Sequence, residues 1–215
     1  MPTEILNSIE LIKPKGFDIV KIGNPVLRKK SYEVAIDELK IIQSGTFFTN
    51  MIHTLDQTKG VGLAAPQVGL NARIFITKLS EGCSNYYQNC VPSELKIWIN
   101  PEYEVINNTE LNGIEGCLSV PGYVGLVKRP TEIKVTALNE KGEMIQEHLL
   151  GWNARVFLHE YDHLEGKVYL DIVSRDSEGR LELYENTVWS ELCSAKREQK
   201  DTEWLSYYGY KVQTD

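Results

Sequence analysis

No stretch of this 215-residue chain approaches the roughly 20 consecutive apolar residues of a bilayer-spanning helix, so no membrane span is expected. No apolar h-region or Arg-rich transit-like segment follows Met1 either. Cysteine is scarce: Cys83, Cys90, Cys117 and Cys193 are scattered without C-x-x-C spacing, and Cys83 and Cys90 read as loop thiols rather than a metal pair. That usage points to a reduced, cytoplasmic protein, in which a free cysteine is admissible as a metal ligand. No G-K-[ST] is present, which argues against phosphate cradling. Positive charge is in deficit, and a net charge of −7 gives no overall attraction to nucleic acid. Repeats, low-complexity tracts and domain linkers are also missing. What remains is ordinary globular composition, 42% hydrophobic and 25% charged, in a chain long enough for one well-buried domain over residues 1–215. An N-terminal arm is expected at 1–20, and a C-terminal helix and tail at 176–215.

Against that background one stretch stands out, Trp152 to Gly166. It contains His159-Glu160-Tyr161-Asp162-His163, an H-E-x-x-H. In a helix, positions i and i+4 share a face, so His159 and His163 can direct imidazole nitrogens at one metal ion. Glu160 sits close enough to exchange protons with water at that metal but angled away from ligation. Ala154, Val156, Phe157, Leu158, Tyr161 and Leu164 make the helix apolar over most of its circumference, so it is expected to be buried. Two histidines and an acid carried into an interior are costly without partners, and a metal would offset that cost. Spacing leaves the third ligand open. The extended motif H-E-x-x-H-x-x-G-x-x-H has its glycine at Gly166 but Tyr169 at the last position. Glu182 and Glu185 lie at plausible downstream distance for a zinc peptidase. His53 and His148 have no motif around them.

Taken in order, the chain predicts a helix over residues 37–59, with Phe48, Met51, Ile52 and Leu55 on one face and Gly45 weakening its first half. Gly60-Val-Gly-Leu-Ala-Ala-Pro-Gln-Val-Gly69 suits a place where another backbone must come close. Residues 72–78 predict a strand, and residues 95–100 and 101–107 predict two short ones. A hairpin is expected over 131–138 and 143–150, around the turn 139–142. Residues 181–200 predict an amphipathic helix with Leu181, Tyr184, Val188 and Leu192 inward. Helices at both ends with short strands between them argue for an α+β fold, antiparallel β-sheets packed around the buried H-E-x-x-H helix.

Three separated motifs, GVGLAAPQ at 60–67, EGCLS at 115–119 and HEYDH at 159–163, together resemble those of the peptide deformylase family. SVPGY and DHLEGKVYLD fit as well, so the resemblance covers most of residues 20–172. It implies a metal held by Cys117, His159 and His163. Ferrous iron is the metal implied, with zinc, nickel or cobalt as substitutes, although thiolate and imidazole softness alone would favour zinc. The implied reaction removes the N-formyl group from the initiator methionine of new polypeptides and releases formate, metal-bound water attacking with Glu160 as base and then acid. By the same resemblance, the Gln67 amide and the Leu118 N–H stabilise the oxyanion. Val61, Gly62, Glu115 and Gly116 meet the substrate, while Asp162 and Arg129 stand behind the ligands. The implied partners are N-formylmethionyl nascent peptides and the ribosome near its exit. One position departs from the family: Val124 stands where many relatives carry a basic residue.

Overall fold

A computed structural model describes residues 14–210 apart from Tyr86 and Gln88. The parts of the expected arm and tail at 1–13 and 211–215 lie outside the described residues. Two helices, α1 (Ile36–Ser44) and α2 (Phe47–Thr58), precede β1 (Gly62–Ala64), β2 (Ile74–Leu79) and β3 (Ser93–Val105). A long hairpin follows, β4 (Glu110–Cys117) and β5 (Val120–Pro130), and then a second, β6 (Glu132–Leu138) and β7 (Met144–Leu150). The chain continues through α3 (Gly151–Leu164), β8 (Leu183–Glu185), α4 (Asn186–Glu198) and α5 (Thr202–Tyr207). Among the described residues the strands form a five-stranded sheet, β1-β2-β3-β6-β7, and a three-stranded one, β4-β5-β8. Every pairing between these strands is antiparallel, and the architecture is α+β.

Strand alternation explains the larger sheet. In β6, Ile133, Val135 and Ala137 are buried while Lys134 between them is exposed, the two-residue period of a half-buried strand. Their buried face meets α3, whose Ala154, Phe157, Leu158 and Leu164 pack with Phe75, Trp98, Ile133 and Val135. Phe157 stands edge-on to Phe75 and Trp98 at centroid distances of 5.1 and 5.2 Å, a favoured aromatic geometry. On α2, Met51 and Leu55 join Leu63, Ile74, Ile76 and Ile99 in a second cluster. The result is a helix held between packed layers, with its two histidines facing the hairpin β4–β5.

Several boundaries differ from those expected, each for a local reason. The single helix over 37–59 is two helices, because Gly45 is extended and interrupts the turn. The two strands over 95–107 are one, β3. Pro101 has no N–H to give, and the ladder with β6 shifts register between Ile99 and Glu102 to pass it. The helix over 181–200 starts only at Asn186, because Leu183–Glu185 pair with Tyr123–Gly125 of β5. Neither β4–β5 nor α5 was legible as an element. Cys83 and Cys90 are not free thiols: the short turn Glu81–Asn85 brings them into a disulfide. That pairing corrects the reading of reduced loop cysteines and removes the cysteine argument for a reducing compartment. Among the described residues no helix is long and apolar enough to cross a membrane.

Candidate metal centre and its cleft

β4 ends at Cys117, and a register shift between Gly116 and Cys117 breaks the ladder there, so the sulfur leaves the sheet and faces α3. Cys117 Sγ lies 3.3 Å from His163 Nε2. Ligand atoms of Cys117, His159 and His163 all fall within 4.8 Å of one another. Bonds of about 2.3 Å to sulfur and 2.1 Å to nitrogen in a tetrahedral site give donor edges of roughly 3.5 Å, so this set fits one cation. Among the described residues no other group of metal-capable side chains gathers in this way. Glu182, the rival ligand, instead accepts the Tyr208 hydroxyl at 3.1 Å, and Glu185 is exposed at the end of β8. Tyr169, at the alternative histidine position, gives its hydroxyl to the Tyr123 carbonyl.

Behind the ligands lies a buried charge network. Glu115 Oε2 takes His159 Nδ1 at 2.9 Å, which fixes the ring and leaves Nε2 for the metal side. The same carboxylate receives Arg129 through Nε and a terminal nitrogen, both at 2.9 Å, and Arg155 at 2.9 Å. Burial alone would push the Glu115 carboxyl up, but the Arg129 charge and the bonds from Arg129 and His159 hold it well below the usual carboxylate range. Arg129 reaches on to Asp162 at 2.6 Å. Arg155 also donates to the carbonyls of Val127 at 2.8 Å and Leu111 at 2.6 Å, tying α3 to the hairpin. Gly113 is required at that crossing, since a Cβ there would stand 2.6 Å from the Arg155 guanidinium carbon.

Glu160 differs from all of these. It is buried, and its Oε2 has no protein partner. Burial pushes its carboxyl up to about 7. A cation held by the neighbouring ligands would draw it down again. The second glycine of GVGL makes room for it: a Cβ on Gly62 would collide with the Glu160 carboxylate. Gln67 is buried too, and the Ala64 N–H donates to its Oε1 at 2.8 Å. That bond turns Nε2 toward Cys117 Sγ at 3.4 Å and Ser119 Oγ at 3.3 Å.

These groups open onto a cleft of about 720 Å³ lined by Val61, Gly62, Gln67, Gly116, Leu118 and Glu160 among others. The structure thus brings together Cys117, His159, His163, Glu160, Gln67, Leu118, Glu115, Gly116, Val61 and Gly62, with Asp162 and Arg129 behind them. Three contributors escaped sequence reasoning. Arg155 had a signal available, because it lies one turn before His159 on the same helix face. Ser119 lay inside EGCLS without an assigned role. The third is the stretch at the end of the expected N-terminal arm, where Val20 N–H bonds Gln67 O and Ile22 N–H bonds Ser119 O, both at 2.8 Å, pinning the site from outside.

Comparison with known proteins agrees with the geometry. The chloroplastic peptide deformylase 1A of Solanum lycopersicum is 35% identical over 72% of this chain, and the match spans only 58% of that relative's length. The peptide deformylase of Halothermothrix orenii is 43% identical over 74% of this chain and 95% of its own. Among solved structures, a Met-Ala-Ser-bound class I type b peptide deformylase from Acinetobacter baumannii matches with a TM-score of 0.69 and 30% identity. The match covers 74% of this chain and 99% of that one. With residues 17–178 matching the polypeptide deformylase family model as well, the chain belongs to that family.

Proposed function

We propose that this chain is a metal-dependent hydrolase that removes the formyl group from the initiator formyl-methionine of new polypeptides and releases formate. The observation that carries the reading is the convergence of Cys117, His159 and His163 at one point of a cleft that also holds Glu160 and Gln67. A divalent cation bound there supplies Lewis acidity toward the carbonyl oxygen and lowers the pKa of water to about 7. Glu160 takes the proton from the attacking water at its unpartnered carboxylate oxygen and hands it to the leaving amine nitrogen. Gln67 Nε2 and the Leu118 N–H donate to the formyl oxygen as negative charge grows on it. Glu115 holds His159, and Arg129 and Arg155 hold Glu115, so the ligand face is set before substrate arrives. Asp162 anchors the far end of Arg129.

The peptide itself lies extended along β1, an edge strand of its sheet, where backbone around Val61 and Gly62 can pair with it. Backbone at Glu115 and Gly116 lines the opposite bank of the cleft. Val124, half-buried on the same bank, offers an apolar contact rather than a charged one to residues after methionine. That the Acinetobacter relative was solved with Met-Ala-Ser supports a peptide N-terminus as the occupant. Ferrous iron is the proposed metal, on the family resemblance, and zinc, nickel or cobalt suit the same donors. The substrate's origin places the work in the cytoplasm, close to the ribosome's exit. The test is metal analysis together with formate release from formyl-Met-Ala-Ser in one anaerobic preparation. One metal per chain with stoichiometric formate is expected; a metal-replete protein that releases none, or that cuts internal peptide bonds instead, sinks the reading.

A further inference from the structure

The family match ends at residue 178, yet the cleft does not. Trp189 of α4 and Tyr210, just beyond α5, line it beside Trp152 of α3 and Tyr87 of the disulfide-closed loop. These rings form one surface. Tyr87 stacks flat on Trp152, centroids 3.7 Å apart and planes within 6°, and its ring also lies 5.8 Å from Tyr210. Trp189 lies 6.4 Å from Tyr210 in a stacked arrangement and gives it an indole N–H at 2.9 Å. The segment is held to the three-stranded sheet by packing of Trp189, Cys193, Leu205 and Tyr208 against Ile114 and Leu126. Gly151 keeps the loop in place from below: it has φ +52°, and a Cβ there would run into Asn89.

The wall borders the candidate metal centre. Trp152, Val156 and His159 follow one face of α3, so the wall begins beside the metal ligands and continues for two turns, about 10 Å. A residue bearing a formyl group has its Cα about 2.4 Å from the formyl carbon, so its side chain starts within reach of the residues that border the ligands. Methionine is unbranched and polarizable, and sulfur contacts at aromatic edges are favourable.

We propose that the C-terminal segment, outside the region matched to the family, is a specificity element of the cleft. Trp189 and Tyr210, with Tyr87 and Trp152, form an aromatic wall that selects a long, unbranched apolar side chain on the formylated residue. The proposal rests on the deformylase reading, and its test separates the two.

Full-length parent, Tyr87→Leu, Trp189→Phe and Trp204→Leu would be compared on formyl-Met-Ala-Ser and formyl-Ala-Ala-Ser. Binding of the product peptides Met-Ala-Ser and Ala-Ala-Ser would be followed in parallel by tryptophan fluorescence. Trp204 stacks on Trp189 at 5.3 Å but does not line the cleft, so it reports loosening of the segment alone. Y87L and W189F should raise KM for the methionine peptide about five- to tenfold, leave kcat within twofold, and shrink the preference for methionine over alanine. Met-Ala-Ser binding should weaken in proportion, and W204L should lower thermal stability while keeping the parent preference. If Y87L and W189F keep the parent preference, or W204L loses it equally, the wall is only structural and the proposal is overturned while the deformylase reading stands. If the metal-replete parent releases no formate from either peptide, the underlying reading fails and the proposal falls with it.

Discussion

The floor and the wall of the cleft are built from different physics. On the floor, buried Glu115 binds two buried arginines and a mostly buried histidine, and every oxygen is held at 2.9 Å. The wall is made of rings whose mutual contacts are broad and only weakly directional. A charge network of this kind tolerates almost no displacement, because a buried charge that loses its partner is left uncompensated. Stacked rings can slide and still exclude water. The comparison suggests a division of labour: the floor fixes where the reaction occurs, and the wall grades which side chain is admitted.

Breaking the floor should therefore cost more than breaking the wall. Replacing Cys117 by alanine removes the sulfur donor, and the metal should be lost or exchange freely, with formate release falling to background. Metal content after gel filtration checks this. A Cys117→Ala protein that holds metal as tightly as the parent would mean the third ligand lies elsewhere. Gln67→Leu removes a donor aimed at the developing oxyanion, and kcat should fall about 10²- to 10³-fold with metal content unchanged. An unchanged kcat with a raised KM would make Gln67 a ground-state binder only.

Glu115→Gln keeps the shape but leaves Arg129 and Arg155 short of charge. Denaturant unfolding should show a loss of about 3–5 kcal/mol, since one partner of a buried ionic network is removed. A loss below about 1 kcal/mol would show that the network's net contribution is small.

The smallest effect is expected away from both regions, at Asp171. Burial tends to raise its carboxyl, but bonds from Arg28 and the Val168 N–H together lower it. A folded value below the unfolded value of about 3.9 means this stabilisation is full above that pH and is lost as pH falls through the folded value. Both partners are partly exposed, so solvent screening holds the contribution below about 1 kcal/mol. Asp171→Asn should flatten the acid limb of the melting temperature between pH 2 and 5 and leave the alkaline limb unchanged. A mutant that differs from the parent equally at every pH would be acting through packing instead.

The floor was more legible in sequence than the wall, and the reason is physical. His159, Glu160 and His163 sit in one helix, where a fixed period converts spacing into direction. Cys117 is 46 positions from His163, with the hairpin β6–β7 between them, so only tertiary structure joins them; the family motif supplied what periodicity could not. Arg155 could have been read from its place one turn before His159, but a buried arginine on an apolar helix has no pattern of its own. The wall draws on a loop, two helices and a residue just beyond α5. Aromatic residues such as Tyr184 and Trp189, close together in sequence, read equally well as ordinary packing. The disulfide was missed for the same reason, because Cys83 and Cys90 carry no spacing signature and only the turn between them sets their approach.

Glu160→Gln gives the sharpest view of the centre, because it separates holding the metal from moving the proton. The measurement is metal stoichiometry and formate release from formyl-Met-Ala-Ser, taken on the same anaerobic sample as the parent. Glu160 lines the cleft but is not among the gathered ligands, so metal content should remain at the parent value. Turnover should fall by about 10²- to 10⁴-fold, the usual reach of a positioned general base. Loss of metal from the variant, or turnover within a few-fold of the parent, would contradict the role given to Glu160 and with it the mechanism proposed here.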